Sequence, residues 1–223
     1  AGKGGSGMRG LLINNYYAVR ANAKVFSGFM LLLGLFAAAV ISQSLLIGYI
    51  FLAVIGFSVN MSSSLRKEFI SKWGKYKLTA PVRRADIVKS HFISQLIWLF
   101  VGMAFAGAVV GLSWLLHGFP FDRNTDILLL FAAGVGISLL MVAIFFPLFY
   151  LTGEERSEVV LGISLLAAIL IFMGLVSLIN LYFGPEPAVW QVITSALILL
   201  LCSAAAFAVS YPLAVVIFRE KEY

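Results

Sequence analysis

The long apolar stretches of this chain carry no charge. Residues 25–65, 90–121, 127–153, 159–185 and 187–218 contain no Asp, Glu, Lys or Arg. Only 12% of the residues are charged and 61% are hydrophobic. Soluble chains carry about 25% charged residues, so an ordinary soluble domain is excluded. Ion-coupled carriers and pumps usually keep an ionisable residue inside a span as a stop for the ion. Its lack here weakens that class without removing it, because backbone carbonyls also bind Na⁺. The single cysteine, Cys202, excludes an intrachain disulfide. The two histidines, His91 and His117, stand about 39 Å apart along one helix. They cannot share a metal within one chain, and no zinc set is expected. No G-x-x-x-x-G-K-[ST] phosphate loop occurs, so an ATP site on this chain is not expected either. The opening AGKGGSG, ahead of Met8, is read as a vector-derived scar over 1–7 and set aside.

What is present is length without charge. A helix crossing a core of about 30 Å needs about 20 apolar residues. The run 25–65 is long enough for two helices, with Ser42-Gln43-Ser44 as the turn between them. The other runs supply one helix each: a third over roughly 92–116, a fourth over 127–153, a fifth over 159–185 and a sixth over 187–218. In lipid the backbone must satisfy its own hydrogen bonds. Runs apolar on every side exclude the alternating pattern of a membrane barrel. The expected fold is all-α, with six transmembrane helices spanning 25–218.

Six spans put both chain ends on one side. Fifteen of the sixteen Lys and Arg residues then share that side, against Arg123 alone. Cytoplasmic loops are enriched in these residues, so both termini are expected in the cytoplasm. Trp114 and Trp190 then fall near the outer interface and Trp98 near the inner one. The net charge of +6 reflects this asymmetry, and no nucleic-acid partner is expected. The stretch 8–24 carries Leu12, Tyr16, Val19 and Ala23 at helical spacing, with Asn15 and Arg20 off that stripe. It predicts an amphipathic helix lying on the membrane surface before the first span. Residues 219–223 form a short cytoplasmic tail.

Half of the positive charge sits in one loop, residues 62–91. Leu65, Phe69, Trp73 and Tyr76 recur at helical spacing there, flanked by Arg66, Lys67, Lys72 and Lys75. Pro81 ends the pattern, and a new helix is expected near Arg84. The pattern fits a basic helix resting on anionic lipid, and equally a docking element for a cytoplasmic partner. Glu154, Glu155 and Glu158 lie in a turn with no histidine placed to join them, so a solvated turn is preferred to a catalytic cluster. Gly107 and Gly111 form a GxxxG, and Ala132 and Gly136 a similar pair. Such pairs let helix backbones approach closely, either in a dimer seam or, the preferred reading, within one subunit. Pro147 and Pro212 each remove a backbone donor, making them candidate hinges or fixed bends.

The loop decides among these readings by resemblance. Trp73, Tyr76, Leu78, Thr79, Pro81, Val82, Arg84, Asp86, Ile87, Val88 and Ser90 resemble the signature of ABC-2 type transporter permeases. The match is to the compact subfamily that includes the phenol-soluble modulin exporters of Gram-positive bacteria. Arg83 and the pair His91-Phe92 depart from that signature, where a small polar residue and Lys-Tyr are common. The resemblance implies a permease subunit in a bacterial plasma membrane that pairs with a second permease, as homo- or heterodimer. It also implies a separate ABC ATPase subunit that carries the ATP and Mg²⁺, so that this chain is a transport subunit and not itself an enzyme. The loop helix then becomes a coupling helix and the stretch 8–24 an elbow helix. Glu68, Phe69, Lys72, Trp73, Tyr76 and Leu78 are expected to seat in the ATPase, with Thr79, Pro81, Arg84 and Asp86 setting the loop's exit angle. Amphipathic, membrane-active peptides are the implied cargo. Lipid-like drugs, or a non-transporting role as a peptide sensor or immunity subunit, are the alternatives.

Overall fold

The computed structural model describes residues 3–40, 42–70, 83–153, 155–184 and 188–220, with side-chain positions for all of these except 3–6, 66–70 and 124. The described elements are six α-helices: α1 (Lys3–Ala39), α2 (Gln43–Ile70), α3 (Arg84–His117), α4 (Asn124–Thr152), α5 (Ser157–Phe183) and α6 (Val189–Glu220). All six are long and apolar enough to cross a membrane.

The helix ends follow local chemistry. The hydroxyl of Ser42 accepts from the backbone N–H of Leu45 and opens α2. Arg83 is extended (φ −71°, ψ 141°) and α3 begins at the next residue. Three helices stop on glycines in the left-handed region: Gly118, Gly153 and Gly184 have φ of 82°, 84° and 83°. Each donates its N–H to the carbonyl four residues back, on Trp114, Phe149 and Asn180. Glycine adopts that φ without the penalty a Cβ brings.

Two expectations about helix extent change. Residues 8–24 are not a separate surface element, because α1 runs unbroken for 37 residues. That is about 55 Å, well beyond an apolar core of about 30 Å. Its buried ridge is Leu11, Asn15, Val19 and Ala23, which keeps Val19 and Ala23 of the stripe read in the sequence but has Leu11 and Asn15 in place of Leu12 and Tyr16. Tyr16 is half exposed and Asn15 is inside. Likewise α2 continues to Ile70, so the first residues of the loop's amphipathic stripe extend the second span.

Helix α4 is the central pillar. It packs most extensively on α6 and also on α5 and α2, while α3 lies against α1 and α2. Phe145, Phe146, Phe149 and Tyr150 of α4 are fully buried. Lipid is as apolar as a helix face, so association depends on close fit and hydrogen bonds. Gly136 supplies the fit between α4, α5 and α6: an added Cβ would lie 2.7 Å from the Phe172 ring and 3.2 Å from Ser203 Oγ. Gly102 does the same between α3 and α2, where a Cβ would meet the Ala53 carbonyl oxygen at 2.7 Å. Among the described residues nothing packs where a Cβ at Gly107 or Gly111 would lie, and no described atom comes within 4 Å of either position.

Candidate functional site: the loop end of the bundle

Of the residues expected to engage an ATPase, Lys72, Trp73, Tyr76, Leu78, Thr79 and Pro81 lie outside the described residues. Glu68 and Phe69 fall on the last turns of the α2 backbone, and their side chains also lie outside the description. The exit from the loop is described. Arg84 Nη1 donates to the backbone carbonyl of Arg219 at 3.0 Å. Arg219 sits in the last turn of α6, where carbonyls lack intrahelical partners and a cation is favoured. Asp86 occupies the first turn of α3, where a carboxylate suits the exposed N–H groups. Ile87 and Val88 are core residues. The Arg-x-Asp-Ile-Val order thus has a local reason: a cation for the end of one helix, an anion for the start of the next, then two anchors.

One turn further on, α3 turns polar inside the protein. Asn15 is only 1% exposed. Its Nδ2 donates to Ser90 Oγ at 3.1 Å and to Ser94 Oγ at 3.2 Å, engaging both amide protons. Ser90 Oγ in turn donates to the Ile87 carbonyl at 2.7 Å. His91, also 1% exposed, is hydrogen-bonded through Nδ1 to the Tyr150 hydroxyl of α4 at 2.6 Å. Phe92 fills the gap between helices, with ring centroids 4.6 Å from Phe146 of α4, and 4.9 Å from Phe207 and 5.5 Å from Tyr211 of α6. Tyr150 also stands 5.2 Å from Phe218. On the α2 side, Trp98 stacks on Phe57 at 6.1 Å and on Tyr16 of α1 at 6.2 Å.

Buried Gln95 has no partner for either amide atom among the described residues, and the hydroxyls of Ser58 and Ser62 are in the same position. The antiparallel register of Gly102 on Ala53 and Trp98 on Phe57 sets Gln95 level with residues 60–61. That is within a turn of both serines. Sequence reading missed this polar layer, and Asn15 with it. The signal was there in the spacing of Ser58 with Ser62, and of Ser90 with Ser94, four residues apart on one helix face.

The two prolines differ in surroundings. Pro147 is buried inside α4 and Pro212 is exposed on α6. Lacking an N–H, Pro147 leaves the carbonyl of Ala143 without its usual donor. Ser210 Oγ of α6 donates to that carbonyl at 2.7 Å.

Grooves open between the helices. One of about 660 Å³ lies between α1, α2 and α5, with Phe26, Phe51, Ile55 and Leu165 along it and Asn60 and Ser63 at one end. Among the described residues no charged side chain lines it. Among the described residues no group of three His, Cys, Asp or Glu is placed to hold a metal ion.

Six membrane-length helices with uncharged grooves among the described residues mark a polytopic helical membrane protein. The family model of the ABC-2 family transporter proteins matches residues 10–219, and the chain belongs to that family. It is a permease subunit of an ABC-type transporter, a family that works with an ABC ATPase partner. No curated protein and no solved structure gave a match.

Proposed function

We propose that this permease exports amphipathic, membrane-active peptides from the cytoplasmic side of a bacterial plasma membrane, driven by ATP hydrolysis on a partner subunit. Both termini and the 62–91 loop face the cytoplasm, where the loop's Glu68, Phe69, Lys72, Trp73, Tyr76 and Leu78 seat in the ATPase. A second permease subunit completes the pathway. The observation that carries this reading is the separation of chemistries along the bundle. The groove between α1, α2 and α5 is uncharged, while α3 emerges from the basic loop directly into contacts with α1, α4 and α6. Such a membrane domain offers no charged stop for a driving ion, and its force enters from the loop.

The groove's size favours one variation on the cargo. Its volume of about 660 Å³ is that of a site for a drug-sized ligand, so a lipid-like small molecule is the second reading. The test is reconstitution with the co-purifying ATPase in inside-out vesicles. ATP-dependent uptake of an amphipathic helical peptide, insensitive to ionophores, is the expected result. Uptake of a lipid-like dye but not the peptide selects the second reading. Uptake that collapses with the ion gradient while ATP remains overturns both. So does ATP hydrolysis by this chain alone. Trp73→Ala is expected to weaken ATPase capture.

A further inference from the structure

The described part of the loop's exit does more than join two helices. Within Arg84 to Ser94, α3 reaches three other helices by polar bonds. Asn15 ties it to α1, His91 ties it to Tyr150 of α4, and Arg84 ties it to the end of α6. Phe92 closes the same block by packing on α4 and α6. A second link, Ser210 to the Ala143 carbonyl, fastens α6 to α4. Coupling across a protein travels through packed side chains and hydrogen-bond networks joined to rigid elements. Buried polar bonds are directional and costly to leave unmade, so they hold one arrangement where apolar contacts would slide.

We propose that Asn15, His91 and Tyr150 are positioning residues that lock the first three turns of α3 to α1 and α4, so that displacement of the loop moves these helices as one block. The proposal rests on the permease reading given above and goes beyond it by naming the residues that pass the motion on. Asn15 carries the largest share. It is the buried amide on a ridge otherwise made of Leu11, Val19 and Ala23, and both of its donors are engaged on α3. Its partner helix begins where the loop ends.

The test separates positioning from simple stabilisation by breaking the tie and then restoring it covalently. Asn15→Cys and Ser94→Cys are combined in a Cys202→Ser background, since Cys202 is exposed. The complex with the ATPase is assembled in vesicles, and permease-dependent stimulation of ATP hydrolysis is measured before and after a short bis-methanethiosulfonate cross-linker. The uncross-linked pair is expected to lose stimulation about fivefold or more at unchanged recovery of the complex. Cross-linking is expected to restore it, and reduction to abolish it again. Asn15→Leu and Tyr150→Phe are expected to behave like the uncross-linked pair. Cross-linking that arrests stimulation instead overturns the proposal, because α1 must then slide on α3. Stimulation that falls only in proportion to lost complex also overturns it, leaving a structural role. Failure of the two cysteines to cross-link in resting membranes removes the junction alone. Failure of the parent chain to capture any ATPase removes the permease reading as well.

Discussion

The two halves of α3 differ in sequence and meet different surroundings. Its loop half holds Ser90, His91, Phe92, Ser94 and Gln95, all buried, the first four of them tied to neighbouring residues of α1, α4 and α6. Its far half holds Gly107 and Gly111 facing open space and Leu115 at 87% exposed. Gly102 stands between them, with its backbone pressed on that of α2. The neutral polar residues of the loop half are inside, and several large apolar residues of the far half are outside. Lipid welcomes the exposed leucine, whereas the serines and the histidine need protein partners. In this helix the part bonded to the most neighbouring helices is its polar part.

Substitutions at the boundary of that comparison test it most severely. Gly102→Val should be the most damaging, because its Cβ would sit 2.7 Å from a backbone oxygen that cannot rotate away. A loss of about 1–3 kcal/mol is expected for such overpacking, read as a lower thermal midpoint and poor recovery in detergent. Within the gripped half, Tyr150→Phe removes the hydroxyl bonded to His91. It should cost about 1–3 kcal/mol in denaturant titration, and an unchanged stability would show that the pair contributes nothing. Ser210→Ala should cost about 1 kcal/mol, with a stronger test in the double mutant. Pro147→Ala restores an N–H for Ala143, so Ser210→Ala should cost less in that background, and strict additivity would deny the link. In the open half, Gly107→Ala and Gly111→Ala should change monomer stability by no more than about 0.5 kcal/mol. A larger loss confined to the assembled transporter would place that face in a subunit contact.

Much of the scaffold was readable from residue order. The six spans and the start of α3 beside Arg84 agree with the charge-free runs and the break at Pro81, while the turn expected at Ser42-Gln43-Ser44 comes earlier, because α2 already begins at Gln43. The extent of α1 was not readable. Lys24 and Arg20 invite a break before the first span, yet nothing in residues 8–39 forbids one continuous helix, and Leu11, Val19 and Ala23 bury against α3 throughout. Asn15 was misplaced for a related reason. A polar side chain is assigned to the outer face by default, and only the serines opposite it reverse that. The GxxxG of α3 misled in the other direction. Spacing shows that backbones are able to approach at Gly107 and Gly111, but not whether another helix of the same subunit stands there. Gly102, which forms its own small pair with buried Ala106, makes the contact.

By itself the sequence determined the number of membrane-length helices and that they belong in a membrane. Each of these depends on a backbone satisfying its own hydrogen bonds over one uncharged run. Only the tertiary structure decided that α4 is the pillar, that Ser210 serves the carbonyl Pro147 leaves open, and that Asn15, His91 and Tyr150 bind α3 into the bundle. Apolar helix faces gain little by exchanging lipid for one another. The choice of neighbours therefore falls to small residues and buried hydrogen bonds, whose partners lie far away in the chain.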